Sequence, residues 1–197
     1  MSKRVLVAGV GNVFLGDDGF GVEVVRELAR RPVPEGVEIA DFGIRGVHLA
    51  YELLAGCELL VLVDAAPHGA VPGTVSVLEV QDVGAAPAVV DAHGLAPHEV
   101  LALVSRLGGR PVRTLVVAGE PADLSGGMEL SPPLRAAVPH AVRAVEAILA
   151  QHGRGDGEDA EQVRQDGPVR GGGDPVRAGS AGHPAVPADP EDVMRGA

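Results

Sequence analysis

The apolar positions fall into short continuous or alternating runs separated by helical stripes, and the pattern stops well before the end of the chain. Val5-Leu6-Val7-Ala8, within residues 3–10, is a continuous apolar run and reads as a strand buried on both faces. Over residues 19–31 the period changes: Phe20, Val24, Val25 and Leu28 make one stripe at helical spacing, and Pro32 and Pro34 end it. Val37–Phe42 alternates as a second strand, and Val47–Leu54 is a helix closed by Gly56. Glu58–Ala65 is the strongest strand of the chain, apolar on both faces and therefore central. Thr74–Val80 largely alternates, which predicts a half-exposed strand antiparallel to its predecessor. A helix over His98–Leu107, a strand over Val112–Ala118 and a helix from Leu134 to about Gln151 complete the series. Ser131 is placed to cap that last helix and Pro132 to occupy its first turn, while Pro139 predicts a kink or a later start. The order β-α-β-α-β-β-α-β-α predicts an α/β fold of three αβα layers around a mostly parallel, five-stranded mixed sheet.

After Gln151 the pattern ends. Residues 152–197 contain no Leu, Ile, Phe or Tyr and are loaded with Gly, Pro and charge. Such a segment cannot bury enough apolar area to offset the entropy of ordering it. The expected organisation is one domain over residues 1–151 and a disordered tail over 152–197, whose His152 and His183 take no part in chemistry.

Composition narrows the function. With no Trp, three Phe and one Tyr, the core must be built of Val, Leu and Ala. A formal net charge of −11 argues against nucleic acid or an anionic membrane as partner. The single Cys57 excludes an intramolecular disulfide and a multi-cysteine metal site. It reads as a buried structural thiol, because no base stands beside it. Ser2-Lys3-Arg4 precedes an apolar run of only about six residues, too short for a signal peptide, and nothing approaches the ~18 apolar residues of a membrane span. A cytoplasmic monomer is expected.

The candidate chemistry sits where the first strand ends, in Val5–Gly21, VLVAGVGNVFLGDDGFG. In open α/β sheets ligands bind at the carboxyl ends of the strands. Gly9-Val10-Gly11 matches the first half of a dinucleotide fingerprint, but position 14 is Phe14, and no G-K-[ST] follows. Asp17 and Asp18 would also repel a pyrophosphate where backbone N–H groups are wanted. Asp64 follows Leu60-Val61-Leu62-Val63 at the carboxyl end of the central strand, beside that first loop. His93 precedes the helix that begins near Pro97. Asp18, Asp64 and His93 would together make a carboxylate–carboxylate–imidazole set suited to Zn²⁺, Ni²⁺ or Fe²⁺. Read as structure alone, Asp64 caps a turn and one of the two adjacent acids caps the following helix. His98 is the rival imidazole. His68 reads as a solvated loop residue, and His48 and His140 as surface or packed helix positions.

Gly9-x-Gly11-Asn12, four residues, then Asp17-Asp18-Gly19-x-Gly21 resembles the opening motif of the nickel–iron hydrogenase maturation endopeptidases. The likeness extends from residue 4 to about residue 150. It includes Asp41-Phe42-Gly43-Ile44-Arg45-Gly46, Val63-Asp64-Ala65, Asp91-Ala92-His93-Gly94-Leu95 and Leu130-Ser131-Pro132. It departs at Ala118-Gly119-Glu120-Pro121, where the family often has Gly first. The resemblance implies that Asp18, Asp64 and His93 are the metal-binding and catalytic residues, with Asp17 capping the helix or orienting Asp18. Arg45, between glycines, is a candidate substrate contact. The implied activity is removal of the C-terminal extension of a nickel-loaded hydrogenase large-subunit precursor. The nickel arrives with the substrate and no permanent cofactor is held. Such a site needs ionised carboxylates and a neutral imidazole, so activity should fall in acid. A different class of function, a non-enzymatic nucleotide- or metal-binding α/β module, would show nucleotide binding that survives loss of Asp18.

Overall fold

The computed structural model describes residues 4–80 and 97–165, with side chains to Gly153. The described residues form five strands and four helices: β1 (Val5–Val10), α1 (Phe20–Leu28), β2 (Val37–Gly43), α2 (Gly46–Leu54), β3 (Leu59–Ala65), β4 (Val75–Glu79), α3 (Pro97–Arg106), β5 (Arg113–Gly119) and α4 (Pro132–Gln165). A single 3₁₀ turn, Gly16–Gly19, leads into α1. The expected α/β fold, with its five-stranded mixed sheet, is the one observed. The sheet order is β2-β1-β3-β5-β4, with β4 antiparallel to β5 and every other pairing parallel. The predicted direction of β4 therefore holds, but it lies at the sheet edge against β5 rather than beside β3.

Period-two alternation sorts the two faces of the sheet. Val5 and Val7 of β1 and Leu59, Val61 and Val63 of β3 join Phe20, Val24 and Leu28 of α1 and Leu134, Ala141 and Val145 of α4 in one cluster. Leu6, Ala8, Leu60 and Leu62 point the other way, to Leu49 and Leu53 of α2 and Val100 and Val104 of α3. The three layers follow. Because β1 and β3 contribute to both clusters, their backbones are the best buried of the sheet, as their unbroken apolar runs require.

The strand order also locates a crevice. β1 lies between β2 and β3, so the connections from β1 to β2 and from β2 to β3 run in opposite senses. The carboxyl ends of β1 and β3 are thus a topological switch point, the place where open α/β sheets leave room for a ligand. Gly21 lets α1 close on it: a Cβ there would lie 2.1 Å from the Val63 carbonyl oxygen and 2.4 Å from that of Val10.

The last helix starts at Pro132 and runs through Pro139 to Gln165, so the break in composition after Gln151 is not a break in secondary structure. Extending an existing helix avoids the nucleation cost. Glu158–Ala197 forms a unit separate from Met1–Gly157. Among the described residues no helix is long and apolar enough to cross a membrane.

Candidate active site

The loop after β1 is closed by its own acids. Gly11, at φ +121°, turns the chain, and its N–H donates to the Gly43 carbonyl (3.0 Å), joining the ends of β1 and β2. A Cβ at Gly11 would lie 1.8 Å from the Asp18 carbonyl oxygen, so only glycine fits. The Asp18 carboxylate accepts the Asn12 N–H at 2.6 Å, and the Asn12 side chain accepts the Phe14 N–H at 3.0 Å. The Asn12 backbone N–H, which a phosphate would need in a nucleotide loop, is therefore occupied by a carboxylate.

Asp17 does something else. It is fully buried and accepts hydrogen bonds from the backbone N–H groups of Ala122 (2.7 Å), Asp123 (3.0 Å) and Ser131 (2.6 Å), and from the Ser131 hydroxyl (2.8 Å). Burial works to raise its pKa, but these bonds together outweigh burial and hold the carboxyl below its ordinary range. The expectation that Asp17 caps the next helix or orients Asp18 is corrected. Neither the 3₁₀ turn nor α1 has a side-chain cap, and the bonds of Asp17 run to the segment between β5 and α4. That segment is also stitched to the first loop by Gly16 N–H to Gly127 O (2.7 Å) and Gly127 N–H to Phe14 O (3.0 Å). Ser131, at the predicted cap, presents its Oγ 3.5 Å from the Leu134 N–H while donating to Asp17.

Asp64 is the penultimate residue of β3, one past the Val63 that pairs with Gly9 of β1. It is half-buried, and its pKa is raised to about 7, first by burial and then by the negative charge of Asp18; the Ala65 N–H opposes both. The structure therefore brings Asp18 and Asp64 into one electrostatic field at the switch point. His93 lies outside the described residues. Within them, no group of three His, Cys, Asp or Glu side chains is arranged to hold a metal ion. His98 is exposed on the first turn of α3. Two oxygen donors sharing unfavourable repulsion are a chemically apt pair for a dication, which would relieve that repulsion.

Arg45 sits at the N-cap of α2, at the same edge of the sheet. Its Nε donates to the Phe42 carbonyl (3.0 Å) and its Nη2 to the Asp41 carbonyl, so it braces its own loop. Cys57 is half-buried, donates to the Leu59 carbonyl at 3.0 Å, and has its pKa pushed up by burial, as a structural thiol should.

Two residues have roles that sequence reasoning missed. Glu120 is buried and accepts the His68 backbone N–H at 2.9 Å; that bond foremost, with help from Ala70, the His68 ring and Gly69, outweighs burial and lowers its pKa. His68, read as a merely solvated loop residue, is tethered through both ring nitrogens: Nδ1 lies 2.9 Å from the Ala66 carbonyl and Nε2 lies 3.0 Å from Ser76 Oγ. The one available signal was the Glu-Pro pair after the last strand, Glu120-Pro121.

Sequence and structure comparisons agree with this architecture. A family model described as hydrogenase maturation protease matches residues 22–148. The chain belongs to the hydrogenase maturation protease family. The hydrogenase expression/formation protein HupM of Azotobacter chroococcum mcd 1 is 33% identical over 159 residues, covering 77% of this chain and 74% of the relative. The hydrogenase 2 maturation protease of Escherichia coli strain K12 is 32% identical over 156 residues, covering 76% and 93%. Among solved structures, the hydrogenase maturating endopeptidase HybD from E. coli superposes with a TM-score of 0.64 at 31% identity, over 76% of this chain and 94% of that one. Solved relatives are endopeptidases, so membership carries protease activity with it.

Proposed function

We propose that this family member is the endopeptidase that removes the C-terminal extension of a nickel-loaded hydrogenase large-subunit precursor, and that Asp18, Asp64 and His93 engage the substrate's nickel. The observation that carries the site is Asp64, a desolvated carboxylate at the end of a central strand whose proton affinity is raised by Asp18. Nickel is cargo of the substrate and the protease holds no permanent cofactor. Its arrival between the two carboxylates would neutralise their repulsion and release the proton that Asp64 holds near neutrality. The two carboxylates, with the imidazole of His93, are the mixed oxygen and nitrogen set that Ni²⁺ accepts. This reading makes recognition of nickel the check that precedes cleavage.

In hydrolysis a water oxygen adds to the scissile carbonyl carbon, the C–N bond breaks, and the departing amine takes a proton. Two routes activate that water: a carboxylate as base, or polarisation of the carbonyl by the substrate's nickel. Arg45, at the same edge, has donors directed to its own loop carbonyls, and we assign it the positioning of the β2–α2 loop beside the substrate.

The experiment is cleavage of a nickel-loaded precursor, followed by the mass of the processed subunit, with Asp18→Asn, Asp64→Asn and His93→Ala. Each variant is expected to fold and to lose at least ~10²-fold in rate, the usual scale for removing an acid–base or metal-positioning group. Nickel retained on a co-purified precursor complex, compared among the variants, separates docking from chemistry. Full cleavage by Asp64→Asn would sink the assignment. Cleavage of nickel-free precursor at the nickel-loaded rate would favour the carboxylate route and remove nickel from recognition.

A further inference from the structure

Ser76, His68 and Glu120 lie outside the Asp18–Asp64 pair and have no part in the reading above. Ser76 lies on β4 opposite Ala118 of β5, which is opposite Asp64 of β3, so the three stand in one row across the sheet. Two strand spacings, about 10 Å, separate Ser76 from Asp64. Ser76 Oγ is 3.0 Å from His68 Nε2. The other ring nitrogen, Nδ1, faces two oxygens that can only accept: the Ala66 carbonyl at 2.9 Å and Glu120 Oε2 at 2.9 Å. Nδ1 must therefore carry the proton, leaving a bare Nε2 lone pair to accept from the Ser76 hydroxyl. Glu120 is buried (8% of its side chain exposed) whereas His68 keeps 28% exposed, so the orienting acid is dry and the base is reachable.

Ser76 Oγ is hydrogen-bonded to the base, and an acid stands 2.9 Å from the base's other ring nitrogen, which is the arrangement of nucleophile, base and orienter that nucleophilic catalysis uses regardless of fold. A donor for a developing oxyanion is also in place. Glu120 N–H to Thr74 O and Val80 N–H to Thr114 O, both 2.9 Å, fix which residues of β4 face β5. By alternation the N–H of Val77, the residue after Ser76, points away from β5, which is the one strand paired with β4 among the described residues. In hydrolases the N–H after the nucleophile serves this purpose.

We propose that Ser76, His68 and Glu120 form a second, serine-type acyl-transfer centre that takes the acyl group of a short ester onto Ser76 Oγ and passes it to water. Ser76 Oγ bonds to the acyl carbon as its proton moves to His68 Nε2. The ester C–O bond breaks and the alcohol leaves with that proton. Water then attacks the acyl-serine, gives a proton to Nε2, and Ser76 recovers it as the acyl–Oγ bond breaks. Glu120 stays ionised beside the ring and holds the His68 backbone N–H, while the Ala66 carbonyl accepts from Nδ1 and keeps the proton there.

The test uses the full chain, treated with chelator, against a fluorophosphonate probe and p-nitrophenyl acetate. The expected result is one adduct, mapped to Ser76 by peptide mass. The acetyl group carried on Ser76 should be lost to hydrolysis no more slowly than the ester turns over, as an acyl-serine intermediate requires. His68→Gln should slow labelling by ~10²-fold or more while leaving Ser76 in place. Ser76→Ala should remove both adduct and ester turnover, yet process the precursor like the parent protein. Adducts spread over other serines, or equal labelling of His68→Gln, would each overturn the proposal. The position of the adduct in the unaltered protein, mapped by peptide mass, decides the matter even where a variant does not fold.

Discussion

Asp17 and Asp64 are both carboxylates withdrawn from water at the same end of the sheet, and they behave in opposite ways. Asp17, in the loop that joins the first and last parts of the fold, receives three backbone N–H groups and a hydroxyl, and its proton affinity falls. Asp64, at the end of β3, has a charged neighbour of its own sign and its pKa climbs to about 7. Burial pushes both upward; only the partners differ. A buried acid surrounded by donors is a fastener, whereas a buried acid facing another acid is a site awaiting a cation or a proton.

Removing the fastener should produce the largest effect. Asp17→Ala leaves three backbone N–H groups without their acceptor, each worth about 1–3 kcal/mol when orphaned, so a loss of roughly 3–5 kcal/mol is expected after partial resolvation. A urea unfolding midpoint at unchanged slope measures it. A loss below ~1 kcal/mol would mean that the two loops hold together without Asp17.

The second test works on the other carboxylate and has the opposite sign. Between pH 3.8 and about 7, the unfolded chain gives up the Asp64 proton while the folded one keeps it, so the metal-free protein loses stability as pH rises through that window. Asp64→Asn removes this dependence. It should match the parent near pH 4 and exceed it at pH 8 by on the order of 2–4 kcal/mol, with thermal midpoints read at both values. An equal effect at both pH values would show that the carboxyl is not perturbed. For Asp17, whose pKa is lowered, the sign is reversed: its contribution is present above the unfolded carboxylate value and is lost only as pH falls through its folded value.

The smallest effect separates the two causes acting on Asp64. Asp18→Asn removes the like charge but keeps an oxygen for the Asn12 N–H. The Asp64 pKa, followed by carboxyl ¹³C chemical shift, should fall by on the order of one unit and stay above the ordinary carboxylate value, because burial remains the leading cause. A return all the way to 3.8 would reverse the order of the two causes.

Much of this was legible in the chain. Val5–Ala8 and Leu59–Val63 are apolar at consecutive positions because both faces of β1 and β3 are covered, and that periodicity is local information. The spacing from Gly9 to Gly21 carried the turn, the two acids and the family likeness, since a positive φ at Gly11 and the close approach at Gly21 can be met only by glycine. Local pattern could not say which neighbour each strand takes. Thr74–Val80 showed its direction, but its pairing with β5 depends on a crossover whose cost no window of residues reveals.

Nor could spacing divide the labour between Asp17 and Asp18. Adjacent residues on a 3₁₀ turn point in different directions, and the donors that claim Asp17 lie 105 to 114 residues away in the sequence. The same holds for Ser76, His68 and Glu120, brought together only when β4 docks beside β5. The sequence by itself determined the elements, the buried strands and the chemical types available at the carboxyl edge, because these follow from periodicity and backbone sterics. Which of those groups became fasteners and which were left facing each other was decided by tertiary structure alone, because a carboxylate's pKa depends on the donors and charges within a few ångströms and not on its neighbours along the chain.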